Sequence, residues 1–462
     1  MLPSWANPGV FESVIANHPL RTGERFDHET YEAFKSRIGD IATRYGFLEG
    51  RFTHSKVTVD AQENRADIDL VYDPARRFHF GEIRYPNDVL DEDVLRRYRT
   101  FEPGDPYDAR RLSELYRDLV DTSYFEDVIV TPMVAEDDRI PVRVLLVPGR
   151  TRDIRVGIGV STDFGPNLLT RLDNHLVNRS GHQYSIDLSL SPVETKLGAS
   201  YRIPQADRAN GWLSAYGGFQ QEDTQTSQTR STTLGIRRVI PRDKGWVETL
   251  FLEFNRDRFD ISGVRETSDY IMPGINFTHT RNDARMARPR RGHRLSFEVT
   301  GTSRAIGSSV DFASARLEGR LIHSLTSRIR LLGRARMGIT QSDDFEKLPP
   351  RVRFFSGGDA RVRGFDFEAI GVEDEDGAII GGDRLLEFSA EIDHAIGEQW
   401  AVAAFTDAAS VSLDTFSTDF RRSVGVGVRW YSPVGPLRLD IAKPVDSRGG
   451  GFRLHISLGP DV

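Results

Sequence analysis

From Ile154 to Leu458 the chain alternates apolar and polar residues with a period of two, and this limits its fold more than any other feature. Tyr184, Ile186, Leu188 and Leu190 alternate with Ser185, Asp187 and Ser189, and Leu295, Phe297 and Val299 with Ser296 and Glu298. Further on, Val424, Val426, Val428 and Trp430 alternate with glycines and Arg429, and Phe452, Leu454, Ile456 and Leu458 with Arg453, His455 and Ser457. Successive side chains of a strand point to opposite faces, so each run predicts a strand with one apolar and one polar face. About sixteen such runs fit, each with its turn taking roughly 20 residues, the spacing of transmembrane β-barrels. A β-sandwich also alternates, but it buries its apolar faces in a common core. Here the polar face carries many Arg, Asp and Glu along strands long enough to cross a bilayer. A water-filled lumen accommodates those charges while lipid takes the aliphatic face. Residues 151–462 are read as an all-β transmembrane barrel of about 16 antiparallel strands.

Composition supports this. Only 38% of residues are apolar and no run approaches the ~18 needed for a membrane helix, which excludes a helical membrane protein. The 41 Gly, 22 Pro, 27 Phe and 13 Tyr favour strands and turns. Cys is absent, which removes disulfides, thiolate metal sites and Cys nucleophiles.

The first 150 residues differ and repeat internally. Arg21-Thr22-Gly23-Glu24-Arg25-Phe26-Asp27 returns as Glu102-Pro103-Gly104-Asp105-Pro106-Tyr107-Asp108, and each copy precedes an amphipathic helix. Tyr31, Phe34, Ile38 and Ile41 space the first helix, Leu112, Leu115 and Leu119 the second, with Asp27 and Asp108 as N-caps. The second copy adds an opening strand (Phe78, Phe80, Ile83), a short helix from Asp91, and closing strands through Val128/Val130 and Val142/Val144/Leu146. Its β-α-α-β-β order resembles a POTRA domain, the polypeptide-transport-associated module. The expected α+β organisation is a partial POTRA domain over 1–76 that lacks its first strand, then a POTRA domain over 77–150. Met1-Leu2-Pro3-Ser4-Trp5 has no signal-peptide character, and the expectation is that a further domain and a signal peptide lie upstream. This part carries 20 Lys+Arg against 28 Asp+Glu and the remainder 41 against 40, so neither has the basic excess of a nucleic-acid binder.

One connection, near 341–383, is far longer than the others, and long loops are usually functional or disordered. It holds Arg353-Phe354-Phe355-Ser356-Gly357-Gly358-Asp359 and then Val362-Arg363-Gly364-Phe365, too aromatic and glycine-punctuated for simple disorder. Its acidic stretch Glu373–Asp376 reads as a solvated tip, with calcium binding the less favoured alternative. Val362-Arg363-Gly364-Phe365 is similar to the signature of the POTRA-plus-barrel superfamily that inserts or exports outer-membrane proteins. Phe405-Thr406-Asp407-Ala408-Ala409 resembles its FxDxG strand motif, with Ala409 in place of the usual Gly. The hairpin Gly427–Asp440 and the closing Phe452–Pro460 resemble its penultimate hairpin and β-signal.

Together these resemble the TamA-like family of the translocation and assembly module. The resemblance implies a bacterial outer-membrane protein with periplasmic POTRA domains that assembles autotransporter-like clients. Its implied partners are a TamB-like periplasmic protein anchored in the inner membrane, unfolded outer-membrane clients and the lipid bilayer. It also implies that the long loop enters the lumen and that Arg363 meets Asp407. Parity places Asp407 on the lumen face if Trp400 and Val402 face lipid, with Glu387 and Glu391 as further candidate acceptors.

The implied mechanism is templating at a weak lateral seam. Its edges would be Ile154, Val156, Gly157, Ile158, Gly159 and Val160 on the first strand, and Phe452, Leu454, Ile456 and Leu458 on the last, with Gly157 near Ile456. Gly157 and Gly159 weaken pairing on one side, and Pro460, which follows Gly459, cannot donate to a ladder. An open edge could then add a client strand. No HExxH, GxSxG or Walker loop occurs, so no enzyme, cofactor or metal is expected, and Gly449-Gly450-Gly451 reads as a turn. A passive porin would explain neither the repeats nor the loop motif. The closest rival is a two-partner-type secretion pore for one dedicated exoprotein.

Overall fold

In the computed structural model the described residues are 8–86, 89–134, 137–205, 211–282, 288–432, 435–445 and 451–458. Gly459, Pro460, Gly449, Gly450, Pro433 and Val434, used above, lie outside them. The chain forms two compact units, one of residues 1–151 with 178–181 and one of the remainder.

The first unit contains two α/β modules. Helices Pro8–Ala16 and His28–Arg44 pack on the hairpin Arg51–Asp60/Arg65–Asp73 around Phe11, Phe34, Ile38 and Phe47. Asp27 caps the second helix by accepting from the Thr30 amide at 3.0 Å. Ala42 is buried there while Ile41 is only half-buried, which rotates the apolar stripe slightly from the expected line. In the second module, strand His79–Arg84 precedes helices Glu92–Arg96 and Ala109–Val120, and strands Phe125–Pro132 and Arg139–Pro148 follow. Arg139–Pro148 lies in the centre of the sheet, parallel to His79–Arg84 and antiparallel to Phe125–Pro132. The Phe80 and Phe101 rings stack at 3.9 Å, and Val142, Val144 and Leu146 of the central strand are all buried. Asp108 caps the long helix through the Arg110 amide at 2.9 Å.

The second unit is a nearly closed barrel. Sixteen strands, from Arg152–Ser161 to Arg453–Leu458, pair antiparallel with their neighbours in chain order. Ile154, Val156, Ile158, Leu234, Ile236, Phe254, Val402 and Val426 point outward and are exposed. Asn255, Asp257, Arg330, Asp393, Asp407, Arg429 and Asp440 point inward and are buried. Burying a charge is costly unless it is paired, and Arg330, for example, forms an ion pair with Asp393, while Asp257 accepts from the Tyr270 hydroxyl at 2.6 Å. Strand length varies from 19 residues (Val264–Asn282) to 6 (Arg453–Leu458), so the wall is tall on one side and short at the ends of the sheet.

The long connection joins strand Ile329–Ser342 to Arg384–Ile396 and folds against the inner wall. Two bridges brace it: Phe354 exchanges backbone bonds with Gly382 at 2.8 and 2.9 Å, and Ser356 with Ile370 at 2.9 Å each. Val362, Phe365 and Ile370 pack on Ala409, so the aromatic character noted in the sequence serves as a plug core.

Candidate functional site

The loop reaches the wall through two glycines. Gly358 and Gly364 have φ of +98° and +96°, a region that side chains disfavour. A Cβ on Gly358 would also collide with the Asp163 carboxylate.

Arg363 leaves this turn buried. Its Nε and Nη2 donate to the Asp407 carboxylate at 2.8 and 3.0 Å, and its own amide donates to Asp407 Oδ2 at 3.1 Å. Nη1 donates to Glu391 at 2.7 Å and to Asp440 at 3.1 Å. The guanidinium lies 3.3 Å above the Phe405 ring. Arg429 completes the cluster, donating to Glu391 at 2.9 Å and to Asp440 at 2.5 Å. Two guanidiniums thus alternate with three carboxylates. Arg363 comes from the loop, and Glu391, Asp407, Arg429 and Asp440 come one each from four neighbouring strands, Arg384–Ile396, Trp400–Ser412, Arg421–Ser432 and Gly435–Pro444. The planar five-donor fork of arginine suits such a site, since one side chain can bind one carboxylate in bidentate fashion and still reach two others.

Glu387 does not join this cluster. In the ladder it stands directly opposite Arg336, to which it pairs at 3.1 Å, and it also accepts from Ser356 Oγ at 2.7 Å. It anchors the start of the loop, one row away from Arg363. Asp440, Arg429 and Phe405 were not singled out as partners of Arg363. Their lumen parity within the motifs that contain them was the available signal.

Among the described residues the two end strands of the sheet face each other without a ladder. Thr162 N donates to Ile456 O at 3.3 Å, and Ile456 N donates to Thr162 Oγ1 at 2.8 Å. Ile456 therefore faces Thr162 and not Gly157. The six-residue last strand spans only part of the ten-residue first strand. Phe452 precedes the last strand and is exposed. Ile154, Val156, Ile158, Val160, Leu454 and Leu458 all present their side chains outward, while Gly157 and Gly159 have inward parity.

Next to this junction, Asp359 Oδ2 accepts from the Thr162 and Asp163 amides at 2.9 and 3.2 Å, and Asp163 accepts from the Asp359 amide at 2.7 Å. His455 Nδ1 lies 2.6 Å from Asp359 Oδ1, and the Gly364 amide donates to His455 Nε2 at 2.7 Å. An amide can only donate, so Nε2 is the bare nitrogen and the ring proton sits on Nδ1, aimed at Asp359. Burial and the nearby Asp359 push the Asp163 carboxyl up to about 6. Ligand atoms of Asp163, Asp359 and His455 lie within 4.8 Å of one another, but Nδ1 and Nε2 are both committed to these hydrogen bonds. In the acidic stretch, Asp374 accepts amides of its own turn from Asp376 and Ala378 at 3.0 and 2.8 Å.

Comparisons with known proteins follow the same lines. The chain is 24% identical over 457 residues to the outer membrane protein assembly factor BamA of Nitratidesulfovibrio vulgaris, covering 91% of this chain and 56% of that protein. It is 24% identical over 504 residues to BamA of Neisseria meningitidis serogroup B, covering 93% and 62%. The chain thus spans about three fifths of these relatives' length. Its fold is similar to that of BamA from Haemophilus ducreyi lacking POTRA domains 1–3, with a TM-score of 0.79, 17% identity and 97% of each chain covered. CdiB from Acinetobacter baumannii is a more distant likeness, with a TM-score of 0.53, 14% identity, and 97% and 85% covered. The Omp85 superfamily domain matches residues 177–461, well over half of the chain, and the protein belongs to the Omp85 superfamily.

Proposed function

We propose that this protein inserts client proteins into the outer membrane by pairing a client strand with the edge of its first or last barrel strand. The observation that carries the reading is the junction itself, where among the described residues one backbone hydrogen bond stands in place of a ladder. A strand edge with unpaired amides and carbonyls is a template for another strand. The buried Arg363 cluster holds the loop in the lumen beside that edge, so the wall keeps its shape when the edges part. The reaction is strand exchange, without catalysis or a cofactor.

The α/β modules of the first unit are read as POTRA domains facing the periplasm. The strand and helix order of the second module supports this. The narrower assignment, a TamA-like subunit that handles autotransporter-like clients with a TamB-like partner, rests on the loop and hairpin motifs. Co-purification from cells with quantification of TamB-like against other partners tests it. A two-partner-type secretion pore is the second reading, favoured by the likeness to CdiB. That reading predicts export of one exoprotein through the lumen.

A disulfide across the junction separates these mechanisms. Continuing the Thr162–Ile456 contact antiparallel sets Val160 against Leu458, so Val160→Cys with Leu458→Cys should close the seam. Client insertion should stop under oxidation and return on reduction. The same staple between Leu188 and Leu197, partners in an interior ladder, should change nothing. Parental insertion by the seam-stapled protein would overturn templating.

A further inference from the structure

Elsewhere in the barrel, neighbouring strands share ladders of between 6 and 16 residue pairs. Such ladders cannot open without breaking several bonds together. At the junction the backbone of the described residues contributes one bond, yet the two edges stay in contact. The additional contacts come from the lumen loop. Asp359 takes two amides of the turn that ends the first strand, and its other oxygen faces the His455 ring on the last strand. The loop also holds His455 from the opposite side through the Gly364 amide, and Asp366 pairs with Arg453 on the same strand. Within eight residues, 359–366, the loop therefore binds both sides of the seam.

We infer that Asp359 and His455 are positioning residues that clamp the first and last strands to the lumen loop, and that the seam widens when this clamp lets go. The inference rests on the assembly reading above and deepens it by assigning control of opening to these side chains. Three features make the clamp specific. The His455 ring serves as a two-ended connector, donating at Nδ1 and accepting at Nε2, which no aliphatic side chain reproduces. Asp359 bridges two segments with one carboxylate, one lying 197 positions before it at Thr162 and the other 96 positions after it at His455. Arg363 anchors the same loop to the wall four residues further on, so releasing Asp359 frees the seam without expelling the loop.

The test is a distance measurement on the full chain. Cys is absent from the protein, so spin labels at Ile158→Cys and Leu454→Cys, both outward and exposed, report the seam alone. The parent should give a narrow distance distribution. Asp359→Ala and His455→Ala should each broaden and lengthen it, raising the open population on the order of tenfold or more, as expected for loss of a charge-assisted hydrogen bond. The double variant should open by less than the sum of the two singles, because both share the Asp359–His455 contact. Asp359→Asn keeps an oxygen for the two turn amides and should fall between parent and Ala. It also serves as the readout if Asp359→Ala gives no heat-modifiable barrel. Unchanged distances in folded Asp359→Asn and His455→Ala would overturn the clamp, as would additive opening in the double variant. If the distances widen while clients are inserted at the parental rate, the clamp stands and the assembly reading fails.

Discussion

Arg363 shows at the scale of one residue what the lumen demands. Its guanidinium serves Asp407, Glu391 and Asp440 together, and losing one partner of a buried ion pair typically costs ~3–5 kcal/mol. Arg363→Ala should lower the temperature at which the unheated gel band converts to the boiled form, and Asp407→Ala should do the same. Arg363→Lys should recover little, because a point ammonium cannot hold one carboxylate in a fork and reach two more. The exchange of Arg363→Asp with Asp407→Arg should fail as well, since the new carboxylate would face Glu391 and Asp440.

Asp163 supplies a pH dependence with a definite sign. Its carboxyl is held at about 6 by burial and by Asp359, against an ordinary 3.8, while the Asp359 amide and His455 act the other way. The remaining charged groups around the clamp are Asp366 from the loop, Arg453 from the last strand, and Asp440 opposite His455 in the ladder. A raised carboxyl pKa means that the closed form binds the proton more tightly than a solvated turn does. The Asp163 contribution to closure is therefore fully present below 3.8 and lost as pH rises through about 6. In a titration of the seam label distance, Asp163→Asn should remove that component and stay closed at the higher pH.

At the scale of elements, the strands follow their alternation and the loop follows its glycines. Gly364 turns with positive φ, and an added Cβ would meet Ser423 Cβ at 3.2 Å. Gly364→Ala should cost about 1–2 kcal/mol from the left-handed backbone alone. It should also loosen the amide contact to His455, read as faster proteolysis within 353–366 in the folded barrel. Asp407 points inward and is buried, and parity within one strand is local information. Parity could not rank Glu387 against Glu391, which have the same parity on the same strand. The register against strand Ile329–Ser342 decides between them by setting Arg336 opposite Glu387.

At the scale of the molecule, this is an outer-membrane protein of the Omp85 superfamily, and its apolar surface is turned outward. Trp400 and Trp430 stack outward at one end of adjacent strands, with ring centres 5.9 Å apart, where an interfacial aromatic girdle is expected. The barrel should run faster on gels unheated than boiled, because its ladders survive detergent until heated. Identical mobility in both states would contradict a closed wall.

The sequence by itself determined the period-two strands, which face of each meets lipid, and the strand and helix order of the second module. All of these depend on local periodicity. The pairing of Arg363 with Asp407 is what the resemblance of the loop and strand motifs implies, and the hydrogen bonds between the two are a tertiary contact. The tertiary structure alone decided that Asp440 and Arg429 complete the lumen cluster, that Glu387 belongs to Arg336, and that Thr162 faces Ile456. It also brought Asp359 to His455, which lies 96 positions further along the chain. Those contacts depend on register and on closure of the sheet, which sum over all sixteen strands. No window of sequence contains that sum.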